Sequence, residues 1–162
     1  MLHTIAPIYD KNSKVLILGS FPSVKSREEQ FYYAHPQNRF WRVMAALLKS
    51  DIPVTLEEKR ALLLCNNIAL WDVIESCDID GSDDASIRNV MPNKLSRIID
   101  AADIKKIFTN GGTASELYKK FCLQMTGIPA VRLPSTSPAN AGYSIERLTE
   151  AWKTVANSIS EK

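Results

Sequence analysis

Four short apolar runs, each stopping at a polar or glycine-containing cluster, constrain this chain more than any other feature. "KVLILGS" (14–20), "NIALWDV" (67–73), "IKKIFTN" (104–110) and "AVRLP" (130–134) have the length of strands and are too short for helices. The first is branched and apolar until it meets Gly19, as expected of a strand buried on both faces of a parallel sheet. Helical patterns lie between and after these runs. Residues 39–49 place Phe40, Val43, Met44, Leu47 and Leu48 on one stripe that Asn38 can cap. Residues 55–66 open with Thr55 and Glu58 at capping-box spacing, and further patterns fall near 94–101, 113–122 and 144–158. Strands alternating with helices predict an α/β chain, a three-layer α/β/α sandwich with a mainly parallel central sheet of about four strands.

No repeat, linker or low-complexity tract interrupts the pattern, so residues 1–162 read as a single domain. A net charge of +2 excludes a polycationic arm, and any nucleic-acid site must be local. Cys65, Cys77 and Cys122 lack zinc-site spacing and read as buried thiols of a reducing compartment. No run approaches the ~20 apolar residues of a membrane span, and the first residues do not resemble a secretion signal. The expectation is a cytoplasmic monomer that makes no membrane contact. His3 and His35 are the only histidines, and neither has a carboxylate or thiolate cluster near it in sequence. No metal and no cofactor are therefore expected, and a Ser-His-Asp or Cys-His mechanism is disfavoured. "DIDGSDD" (78–84) fails as a calcium loop because Ile87 stands where the bidentate glutamate belongs. It reads as a solvated loop with capping carboxylates.

The polar clusters carry the chemistry. "GSFPS", the "WD" of the second run, "NGG" and "PSTSPAN" each follow one strand, and in an open α/β sheet the ligand crevice lies outside the carboxyl ends of the strands. Four segments would converge there. "GSFPS" matches neither a P-loop nor a dinucleotide turn; it is either a rigid loop presenting N–H groups to a ligand or a plain turn. In "YYAHPQNRFW", Phe40 and Trp41 read as core, while Tyr33 can stack on a base and Asn38 can orient a water or read a base edge. An amide is not basic, so Asn38 could position a water but hardly deprotonate it. "LPSTSPANA" is a stiff loop whose hydroxyls could donate to phosphate, or an ordinary proline-rich turn.

Taken in order over nearly the whole chain, "GSFPS", "YYAHPQNRFW", "IALWDVIESCDIDGSDDASIR", "FTNGG" and "LPSTSPANA" resemble the uracil-DNA glycosylase superfamily, and within it the hypoxanthine-DNA glycosylase branch. The resemblance implies DNA as the partner, flipping of a deaminated base, and metal-free hydrolysis of its N-glycosidic bond to leave an abasic site. It assigns the principal catalytic role to Asn38, and base contact to Gly19, Ser20, Phe21, Tyr33 and Asn110. It places Pro22, Ser23, His35, Gly111, Ser135, Thr136, Ser137 and Pro138 on the DNA. The superfamily's first motif commonly carries an aspartate or asparagine that activates the water, and this chain has Phe21 there. The second motif commonly carries a histidine or asparagine, where this chain has Ser135, Thr136, Ser137 and Pro138. With no lysine matched to the pocket, a monofunctional enzyme is expected. A hydrolase or transferase of free nucleosides and a non-catalytic nucleic-acid-binding module remain the rival readings.

Overall fold

The computed structural model describes residues 1–160. The elements follow in the order β1 (Val15–Gly19), α1 (Val24–Glu29), α2 (Phe40–Leu47), α3 (Leu56–Leu64), β2 (Ile68–Asp72), β3 (Ile74–Asp78), β4 (Arg88–Pro92), α4 (Ser96–Ile99), β5 (Lys106–Asn110), α5 (Gly112–Phe121), α6 (Leu123–Thr126), β6 (Ala130–Leu133) and α7 (Ile145–Ser160). The four expected strands form one parallel sheet in the order β2-β1-β5-β6. Both β1 and β2 are buried at every position, which explains their unbroken apolar runs.

The chain leaves β1 for its neighbour on one side, then crosses back to β5 on the other. Right-handed crossovers send those two connections to opposite faces of the sheet. Helix α7 packs along α2 and reaches β1, α3 covers β2, and α5 covers β5 and β6. The expected α/β sandwich results. Its core includes fully buried Phe40, Met44, Tyr118 and Trp152 against β1 and β5. Two core indoles also hold the loops above them: Trp41 donates to the Tyr32 carbonyl at 3.0 Å and Trp152 to the Pro134 carbonyl at 2.9 Å.

Four features depart from the sequence reading. Helix α1 has no apolar stripe; it starts because the Ser23 side chain accepts from the Ser26 N–H. Residues 74–92 form an antiparallel hairpin, β3 with β4, whose register shifts blur the period-two pattern. Only its tip is the solvated loop expected, and there Asp83 caps a short 3-10 turn over Asp84–Ser86. The helix expected near 94–101 is confined to Ser96–Ile99. Cys77 and Cys122 are buried, and burial pushes the Cys122 thiol up to about 11, but Cys65 is exposed. No helix among the described residues is long and apolar enough to cross a membrane.

Candidate active site

Sheet register brings the four strand ends to one level. Gly19 pairs with Asp72, Leu18 with Thr109, and Asn110 with Leu133. Because the chain departs to both sides of β1, the crevice opens between β1 and β5. The loops carrying residues 20–23, 33–39, 111–113 and 134–140 surround it.

Asn38 stands at the centre of a network whose orientation is fixed by backbone donors. Its Oδ1 accepts the Phe40 N–H at 2.9 Å and the Thr136 hydroxyl at 2.9 Å. Asn110 Oδ1 accepts the Thr136 N–H at 3.0 Å, which turns Asn110 Nδ2 toward the Thr136 hydroxyl oxygen, also at 3.0 Å. Both amide orientations follow, since a backbone N–H can only donate. With both lone pairs of Oδ1 occupied, the group that Asn38 can offer a ligand is its NH2, a pair of donors. The Arg39 N–H also binds the Thr136 carbonyl at 3.1 Å. Thr136, expected on the DNA, is instead fully buried and joins the two amides.

A second cluster forms over Gly19. A Cβ there would lie 2.4 Å from Asp72 Oδ1 and 3.0 Å from the Tyr33 hydroxyl, so only glycine admits both groups. The other Asp72 oxygen, Oδ2, is held by His3 Nε2 at 2.7 Å, with both side chains almost completely buried. His3 Nδ1 accepts the Ile5 N–H at 3.2 Å, so the ring proton lies on Nε2 and points at the carboxylate. No carboxylate lies near His3 in sequence, but the fold brings it Asp72 from a strand 69 residues away. Tyr33 takes a positive φ of 54° and stacks on Phe40 with ring centroids 4.1 Å apart. One face of the expected stacking ring is thus covered by the core. Its hydroxyl is buried with no hydrogen-bond partner among the described residues. Burial, then the Asp72 carboxylate, hold that hydroxyl well above the usual tyrosine range, so it remains an O–H donor.

The other expected residues divide. Ser20 sits at the mouth and donates to Asp84 Oδ1 at 3.4 Å. Gly111 has φ +94° and lets α5 begin within 3.2 Å of Ser135, measured from the position a Cβ would take. Ser135 and Ser137 accept backbone N–H groups through their hydroxyl oxygens, which leaves the O–H hydrogens free to donate, and Pro138 is exposed beside them. His35 is half-buried with Nδ1 accepting the Gln37 N–H. Phe21 and Pro22 are buried; Phe21 lies in a separate cluster with Ile74 and Cys77. Pro22, expected on the DNA, is buried, and the Phe21 ring packs inward. Ser23 is engaged as the cap of α1.

Three residues escaped the sequence reading. Asp72 was signalled only by a carboxylate closing an apolar strand. Arg39, read as a helix start, clamps the 137–143 loop by donating to the carbonyls of Ser137 at 2.9 Å, Asn140 at 3.0 Å and Tyr143. Asp84 reaches the crevice from the hairpin tip. A cavity of about 820 Å³ lies beyond β2 between Trp71, Lys94 and Arg97, and of the crevice groups only His3 lines it.

Comparison with known proteins gives the family and the fold. The family model described as the uracil DNA glycosylase superfamily matches residues 6–157. A protein of Methanosarcina barkeri (strain Fusaro) named hypoxanthine DNA glycosylase is 33% identical over 147 residues, covering 90% of this chain and 92% of its own. Its namesake in Methanosarcina acetivorans is 35% identical over 150 residues, covering 91% and 93%. The solution NMR structure of a candidate uracil DNA glycosylase from Methanosarcina acetivorans superposes with a TM-score of 0.80 at 32% identity over 97% of both chains.

Proposed function

The chain belongs to the uracil DNA glycosylase superfamily, and from that premise we propose that it is a monofunctional DNA glycosylase removing deaminated bases, hypoxanthine first among them. The observation that carries this reading is the Asn38–Thr136–Asn110 network, which engages the Asn38 oxygen and leaves its NH2 as the group it can offer a ligand. Breaking the N-glycosidic bond places negative charge on the departing base. A fixed N–H donor directed at that base lowers the barrier by about 3 kcal/mol if it acts like an oxyanion-hole donor. Asn38 is thereby assigned to the leaving base rather than to the water, since its oxygen is already engaged.

The cluster over Gly19 supports the substrate class. Tyr33 supplies a donor and Asp72 Oδ1 an acceptor, side by side. Hypoxanthine presents a carbonyl next to a ring N–H, and uracil does the same; adenine and cytosine reverse that order of donor and acceptor. Extruding a deaminated base from its mispair also costs less than extruding a matched one. Ser135, Ser137 and Pro138 grip phosphate, positioned by Arg39. In this reading the protein acts as a cytoplasmic monomer with no cofactor.

The experiment is base release, in EDTA, from duplexes carrying one deoxyinosine, one deoxyuridine or neither, with abasic sites revealed by alkali. Release from the deoxyinosine duplex alone or most rapidly is the expected result. Turnover of free deoxyinosine with silence on all three duplexes would move the assignment to an enzyme of free nucleosides.

A further inference from the structure

Hydrolysis needs more than a clamp on the leaving base. A water must be held against C1′ of the sugar and surrender a proton as the new bond forms. Asn38 cannot accept that proton, and Asp72 is drawn to His3 on one side and packed over Gly19 on the other. A second carboxylate does stand at the mouth. Asp84, on the 3-10 turn of the hairpin tip, receives the Ser20 hydroxyl at 3.4 Å. The tip is fastened to α1 by the Val24 N–H donating to Ser82 Oγ at 2.9 Å and by Arg27 donating to the Gly81 carbonyl at 2.6 Å.

We propose that Asp84 is the general base of the reaction, supplied by the β3–β4 hairpin next to the loop position where Phe21 offers no acid. The proposal rests on the glycosylase reading above. The water oxygen bonds to C1′ while the C1′–N bond breaks, its electron pair leaves on the base, and the water proton passes to Asp84, which later returns it to the solvent or the base. Although the residue as a whole is exposed, its carboxyl group accepts from the Ser20 hydroxyl. Partial desolvation raises its pKa, the carboxylates of Asp83 and Asp72 add to the rise, and hydrogen bonds from Ser20 and Thr113 oppose it. Of the two cations of α1, Arg27 is turned toward the Gly81 carbonyl and the Phe21 ring, and Lys25 pairs with Glu29 at 3.1 Å. Asp84 therefore loses its charge at a higher pH than an ordinary aspartate, and base release should fall as pH drops through that raised value.

A tether between loop and hairpin would need only an acceptor at this position, which Asp84→Asn keeps. The experiment is single-turnover base release from a deoxyinosine duplex between about pH 5 and about pH 9, with enzyme in excess, for wild type, Asp84→Asn, Asp84→Glu and the tip control Asp80→Asn. Melting temperature and binding to an abasic duplex are measured alongside. The expected result is a loss of roughly 100-fold or more in Asp84→Asn, with the acidic limb gone and melting and product binding unchanged. Asp84→Glu should outperform Asp84→Asn and keep the limb, and Asp80→Asn should match wild type. Asp84→Asn within about threefold of wild type with its acidic limb intact, or outperforming Asp84→Glu, overturns the proposal. A wild type that releases no base sinks the glycosylase reading itself, and the proposal with it.

Discussion

Asn38 and Asp84 reach the same crevice by opposite structural means. Asn38 lies between buried aromatics and a buried threonine, with both acceptor sites of its oxygen filled. Asp84 rides on a two-stranded hairpin with an irregular register, and its tip consists of exposed residues. Two-stranded ribbons are marginal unless something holds them. Here the N-terminal residues bond to β3 and an apolar cluster of Phe21, Ile74 and Cys77 anchors the base, while a handful of hydrogen bonds to α1 and Ser20 hold the tip. The contrast teaches a division of labour. Electrostatic stabilisation of a leaving group works only if the donor does not have to reorganise, whereas a wall of the crevice that receives DNA must tolerate its entry.

That contrast can be broken or sharpened by measurement. The largest effect should come from Asn38→Ala, which removes the donors from the rigid side; single-turnover base release should fall by roughly 100- to 1,000-fold, and an unchanged rate would remove Asn38 from the chemistry. Next, His3→Ala leaves the Asp72 carboxylate buried without its partner, and chemical denaturation should show a loss of about 3 kcal/mol. A smaller loss of roughly 2 kcal/mol is expected for Thr136→Val, which strands Asn38 and Asn110 without their shared hydroxyl; its rate should also drop, tying the network to function. The least effect belongs to the hairpin. Ser82→Ala deletes one exposed tether and should cost about 0.5–1 kcal/mol, read as a small shift in the melting midpoint. If Ser82→Ala destabilised as much as Thr136→Val, the rigid and tethered walls would not differ as described.

Strands β1 and β2 were legible because burial on both faces leaves an apolar run that no other element of that length requires, whereas β6, exposed at Val131 and Arg132, was legible only as a short run before the Pro134 loop. Asn110 and Ser20 were singled out because polar residues at and after strand ends gather at the carboxyl edge of the sheet. Asn38, which lies between α1 and α2, was instead singled out as an amide beside an aromatic run. Helix α1 and the hairpin were not legible. Helix α1 carries no apolar stripe, and β4, exposed at Arg88, Asn89 and Met91, does not show a buried strand's pattern.

The sequence by itself determined the α/β class, the place of the crevice and the family, since all three rest on local periodicity and on motifs read in order. What only the tertiary structure decided is which partner each polar group receives. His3 meets Asp72 across 69 residues, Thr136 meets Asn38 across 98, and Ser20 meets Asp84 across 64. Hydrogen bonding acts over about 3 Å in space and carries no signature in chain distance. The chemistry of the crevice is therefore set where segments meet.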